Sequence, residues 1–202
     1  MANKTNGRAI RNRTLMLAQL GVLTAIVVAL QILAIVMRPL FPLFTISLVL
    51  LPITIGAALI GVLAGGWLGL VFGAAVLVSG DAAWFMTINL PGAVLLVLVK
   101  GVLAGLAAGI VYKLLAGKSR TIAAVAAGLI CPVVNTGIFI IGSYVFFLPD
   151  ITKWGEGLGY TSGTASIFFG MVGLNFIVEV GINMVFIPVI VRLIQYAQGK
   201  RR

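Results

Sequence analysis

The sequence predicts an all-α polytopic membrane protein with six transmembrane helices and both termini in the cytoplasm. Three observations carry this. Of 202 residues, 61% are hydrophobic and 9% charged, against roughly 25% charged in soluble domains. The apolar runs are continuous, whereas the strands of a membrane barrel alternate polar and apolar residues. Finally, 25 glycines with many alanines fit close helix packing, because lipid tails give no hydrophobic drive for association and small residues let backbones approach.

Eleven of the 14 basic residues fall in three clusters: Lys4, Arg8, Arg11 and Arg13; Lys113, Lys118 and Arg120; and Arg192, Lys200, Arg201 and Arg202. A net charge of +10 in a soluble protein would point to nucleic acid. In a membrane chain Lys and Arg mark cytoplasmic loops, so the expected surroundings are a lipid bilayer, with no nucleic acid. An even number of spans must then separate successive clusters. Residues 1–13 read as a basic cytoplasmic tail and not a cleavable signal, since no short apolar region with a small-residue cleavage site follows.

A helix needs about 20 apolar residues to cross a bilayer, and six stretches qualify within one domain, 1–202: about 14–37, 43–63, 66–80, 91–115, 121–147 and 165–192. The first ends at the turn Arg38-Pro39-Leu40-Phe41-Pro42. The second and third are expected to hinge at Gly65-Gly66, and the third, about fifteen residues long, is short, tilted or partly re-entrant. Two connections face outside. The first, 81–90, carries Asp81, Trp84 and Asn89; the second, 148–164, carries Asp150, Lys153, Trp154, Glu156 and Tyr160, more chemistry than a simple connector requires. Gly155-x-Gly157-x-Gly159 follows no strand and reads as a flexible loop.

Much chemistry is excluded. With no histidine and the single cysteine Cys131, zinc sites, disulfides and histidine-based triads are ruled out, and neither metal nor cofactor is expected. Ala116-Gly117-Lys118-Ser119 is not a phosphate-binding loop, because that motif needs glycine at position 112, where Tyr112 stands. No enzyme is expected, and any energy for transport must come from other subunits.

Within the spans the informative residues are polar, since a charge at the centre of a span costs roughly 2.5–3.5 kcal/mol on insertion scales. Lys100 and Glu179 are the charged pair. Counting at 1.5 Å per residue puts Lys100, Asn135 and Asn175 at similar depths, roughly 14–18 Å from the outer ends of their spans. Asn175, Glu179 and Asn183 recur every four residues and form one polar ridge, which should face protein or a cavity. Two readings stay open: a structural Lys100–Glu179 pair with bridging asparagines, or a lysine that supplies positive charge to an externally open ligand site. Pro132, just before Asn135, allows a bend there. The first span carries Gly21-x-x-x-Ala25-x-x-x-Ala29, a smooth ridge suited either to packing within the bundle or to docking another membrane subunit.

These features together resemble the substrate-binding S components of energy-coupling factor vitamin transporters. The likeness covers the basic amino terminus, the small-residue first span, the glycine-rich LPITIGAALIGVLAGGWLGLVFGA, and the KGVLAGLAAGIVYKLL and CPVVNTGIF segments. It implies a six-helix, non-catalytic subunit of a bacterial plasma membrane that captures a small-molecule vitamin from outside. Such a subunit docks through its first helix onto a transmembrane coupling subunit driven by two cytoplasmic ATPases. The family's A-x-x-x-A motif matches Ala25 and Ala29, with Gly21 one step earlier. The NTGIF stretch and Lys100 look most like pantothenate-specific members, whose small anionic ligand suits a lysine and asparagines. The resulting candidate substrate-binding set is Lys100, Asn135, Asn175, Glu179, Asn89, Trp84, Trp154 and Tyr160. Cobalamin, held by the outer loops around Trp84, Trp154 and Tyr160, is the alternative vitamin, and a structural or assembly subunit the alternative class.

The charge clusters predict that a cysteine introduced at Thr152 is labelled by an impermeant thiol reagent on intact cells and one at Ser119 is not. The opposite pattern would mean inverted orientation.

Overall fold

The computed structural model describes residues 2–37 and 48–199, with the side chains of residues 2–12, 174, 175, 187, 190, 193–195 and 197–199 excepted. The expected turn at 38–42, the start of the second span at 43, and Lys200, Arg201 and Arg202 lie outside the described residues. Helices dominate, and no strand occurs among the described residues. They are α1 (Ala2–Met37), α2 (Leu50–Leu59), α3 (Val62–Val78), α4 (Ala83–Ile88), α5 (Leu90–Leu115), α6 (Arg120–Phe146), α7 (Leu148–Glu156), α8 (Gly163–Ala165) and α9 (Gly173–Gly199), with a π-helical segment over Ser166–Val172 joining the last two. Among the described residues four stretches are long and apolar enough to cross a membrane: Arg13–Met37, Leu90–Leu115, Arg120–Phe146 and Gly163–Phe186. Helices α2 and α3 are shorter apolar helices.

The α3–α5 pair is the tightest in the molecule. A β-carbon at Gly69 would run into the carbonyl oxygen of Gly101, and one at Gly101 into that of Gly69. Gly65 and Gly105 are opposed in the same way, and further along Gly73 meets the carbonyl of Val97 and Gly109 the α-carbon of Val62. This antiparallel register of glycines removes the side-chain layer between the helices, so dispersion contacts form backbone to backbone. It also corrects the expected hinge at Gly65-Gly66, because both glycines lie buried inside α3. The chain turns instead at Gly61, whose φ of 138° lies where a side chain would be strained.

Around this pair the core is layered. Val27, Leu50, Ile53, Leu68, Phe72, Ala104, Ala108, Ala123, Ala127 and Cys131 form one buried cluster. Ala93, Leu96, Phe147, Ile151, Ile167 and Val172 form a second, around α7. Helix α1 contributes a stripe at three- and four-residue spacing, Leu20, Leu23, Val27, Leu30 and Ala34, the periodicity of one helical face.

Part of the segment 148–164 is helical, and the helix takes in Gly155 of the stretch expected to be a flexible loop, while residues 157–159 are turn. Pro149 sits in the first turn of α7, Asp150 is in that turn and Lys153 in the last, each complementing the helix dipole. Ile151 and Gly155 are buried while Lys153, Trp154 and Glu156 are exposed, so α7 is a short amphipathic helix. Gly155 is a packing residue, because a β-carbon there would meet Ser166 Oγ. The loop 81–90 likewise contains α4.

Gly69→Ala and Gly101→Ala should each cost about 1–3 kcal/mol, the range for overpacking, and lower the melting temperature in detergent. Gly137→Ala should leave it unchanged or raise it, because a β-carbon there meets nothing within 4 Å.

Candidate ligand site

Three helices bring the predicted polar residues together. Lys100 projects from the middle of α5, half-buried, with its Nζ 5.2 Å from the centroid of the Phe139 ring on α6 and 5.9 Å from that of Phe72 on α3. Asn135, one turn before Phe139 on α6, is 7% exposed, and its Oδ1 has no hydrogen-bond partner. Beside it Thr136 Oγ1 donates to Glu179 Oε2 on α9 at 3.4 Å.

The ridge predicted on α9 faces protein: Glu179 is 7% exposed and Asn183 fully buried. Asn183 Nδ2 donates to the Glu179 carbonyl oxygen at 2.8 Å, while its Oδ1 is left unpartnered. Asn175 lies one turn earlier on the same helix, and its side chain is outside the described residues. Unmet buried acceptors such as Asn135 Oδ1 and Asn183 Oδ1 are costly in an apolar interior, and a ligand or water that donates to them relieves that cost.

The aromatic residues of α4 and α7 form a second group. Phe85 packs edge to face on Phe139, centroids 5.6 Å apart, and on Phe147 at 5.1 Å. Trp84 lies 6.5 Å from Trp154, so two segments distant in sequence meet in a pair of exposed indoles. Trp154 and Tyr160 both lie over Gly170, where an added β-carbon would approach Trp154 Cζ3 to 2.9 Å and Tyr160 Cε2 to 3.3 Å. The candidate residues thus divide into a polar group (Lys100, Asn135, Glu179) and an aromatic group (Trp84, Trp154, Tyr160). Asn89 belongs to neither by contact. Its Oδ1 accepts from Gly92 N at 3.0 Å and caps α5.

The sequence reading missed the phenylalanines that bridge the two groups, because single aromatics in an apolar helix carry no distinctive pattern. It also missed Gln31, 3% exposed on α1, whose Nε2 donates to Asp81 Oδ2 at 3.5 Å; an amide within the first apolar stretch was the available signal. A separate open groove of about 700 Å³ runs along the π-helical segment, lined by Ser162, Thr164, Ala165, Phe168, Phe169, Gly173 and Ile177. It includes none of the candidate residues.

Gly21, Ala25 and Ala29 all lie on a face of α1 that is exposed among the described residues, and a β-carbon at Gly21 would meet nothing within 4 Å. The opposite face, through Val27 and Gln31, is buried. No family model matches the sequence, and no curated protein or solved structure matches it.

Asn89→Ala should reduce stability by about 1 kcal/mol through loss of the cap, and Asn89→Ser should restore it. If Asn89 also contacts ligand, the serine variant will recover melting temperature without recovering affinity.

Proposed function

We propose that this chain is the substrate-capture S component of an energy-coupling factor importer for a water-soluble vitamin. It would cross a bacterial plasma membrane six times, both termini in the cytoplasm, and carry out no catalysis itself. ATP hydrolysis by two partner subunits would drive uptake through a transmembrane coupling subunit. The observation that carries this reading is the exposed ridge of Gly21, Ala25 and Ala29. Such a ridge suits close backbone approach by another membrane helix, and among the described residues it is exposed. An assembly subunit would share that surface, but the half-buried Lys100 and the unmet acceptor of Asn135 favour a protein that also binds a polar ligand.

Pantothenate is the ligand that best fits. Its carboxylate pairs with an ammonium, and its hydroxyls and amide can donate to Asn135 Oδ1. Cobalamin would instead lean on the exposed Trp84–Trp154 pair, and parallel calorimetric titrations of the purified protein rank the two.

Replacing Ala25 and Ala29 together by Leu should abolish uptake in cells while the purified protein binds vitamin unchanged. Binding lost in step with uptake would overturn the docking role. For the ligand site, Lys100→Met should weaken pantothenate binding by about 2–5 kcal/mol, the range for truncating one partner of a buried charged pair. If Lys100 serves only Glu179, Lys100→Met should instead destabilise the fold, and combining it with Glu179→Gln should restore both stability and affinity.

A further inference from the structure

A lysine side chain such as that of Lys100 is long and flexible. Something must hold it in one pose if it is to meet a ligand. The direct neighbours are two rings, at 5.2 Å for Phe139 and 5.9 Å for Phe72, within the roughly 6 Å over which a ring face attracts a cation. Phe72 is buried, 4% exposed, and belongs to the glycine-packed α3, where its ring edge lies against Gly101. It is therefore a fixed wall.

Phe139 is different, because what orients it comes from outside the helix bundle proper. Its ring meets Phe85 of α4 at an interplanar angle of 89°, centroids 5.6 Å apart, the edge-to-face geometry that aromatic quadrupoles favour. Phe85 in turn meets Phe147 at 5.1 Å and 72°, and Trp84 at 4.9 Å and 81°. Trp84 continues to Trp154 on α7. An unbroken series of rings thus runs from the indoles of α4 and α7 to the ammonium.

We propose that Phe139 is a positioning residue that holds Lys100 in its ligand-ready pose, and that Phe85 sets the Phe139 ring, so that the seating of α4 and the pose of the lysine are one linked state. This deepens the ligand-site reading and rests on it for the anionic group that Lys100 meets. A ring face attracts the ammonium without neutralising it, so the full charge stays available to an incoming carboxylate. Reciprocity follows: whatever draws the ammonium off Phe139 loosens the seat of α4, and whatever unseats α4 changes affinity at the lysine.

The test has two arms. The first needs no ligand. The chain has 3 tryptophans, and Trp67→Phe leaves Trp84 and Trp154, both in the ring series, as reporters. In that background Lys100→Met should shift the emission maximum, and the shift should vanish when Phe139→Leu is present. No shift, or an equal shift with leucine at 139, overturns the link.

The second arm titrates purified protein with pantothenate and with its alcohol analogue. Phe139→Leu should weaken the acid about tenfold, the loss expected for one desolvated cation–ring contact, and the alcohol far less, with Phe139→Trp restoring the acid. Phe85→Leu should act in the same direction and add little to Phe139→Leu. Equal weakening of acid and alcohol, or additive effects of the two leucines, overturns the proposal. If the unsubstituted protein binds no pantothenate, the substrate reading falls and the fluorescence arm still decides the link. Should Phe139→Leu fail to fold, Phe85→Leu alone must lower acid affinity relative to alcohol, or the proposal fails.

Discussion

The structure depends on the contact of two bare backbones. Inside a bilayer the hydrophobic effect holds each helix in lipid but does not press one helix onto another, so a specific fold must come from close packing and polar contacts. Here Gly65 and Gly69 on α3 are set against Gly105 and Gly101 on α5 with no side chain between them. That fit determines the rotation of both helices. With α3 and α5 so fixed, Phe72 is presented to the Lys100 ammonium. The site inherits its geometry from glycines that contribute no chemistry of their own.

How far the fold is legible in the sequence follows from which forces have a local signature. Hydropathy and the basic clusters are averages over many residues, and the helical stretches near 14–37, 91–115 and 121–147 agree with the observed helices to a residue or two where α5 and α6 end. The hinge was misplaced because Gly61 and Gly65-Gly66 look alike in sequence. Only the three-dimensional register shows that the pair is needed for close approach and Gly61 for its backbone angle. Residues 148–156 read as a loop because a nine-residue amphipathic helix carries too few apolar positions to stand out.

For the site, residues costly to bury were legible one by one: Lys100, Asn135, Glu179 and Asn183 all stand out in an apolar background. Their partners were not. Thr136 and Phe139 gain meaning only from what α9 and α4 bring opposite them. Asn89 shows the converse, since a polar residue at a promising position in a connection turns out to close the end of a helix.

The π-helical segment at Ser166–Val172 has a geometric consequence for everything after it. A π-helix fits more residues into each turn than an α-helix, so the chain leaves this stretch out of phase with the α-helix that would otherwise have continued, by about one residue or roughly 100°. Downstream of this offset Glu179 and Asn183 are both buried, and Glu179 meets Thr136 of α6. The facing of the polar residues of α9 is thus linked to the winding of Ser166–Val172, a stretch that contains neither acid nor amide.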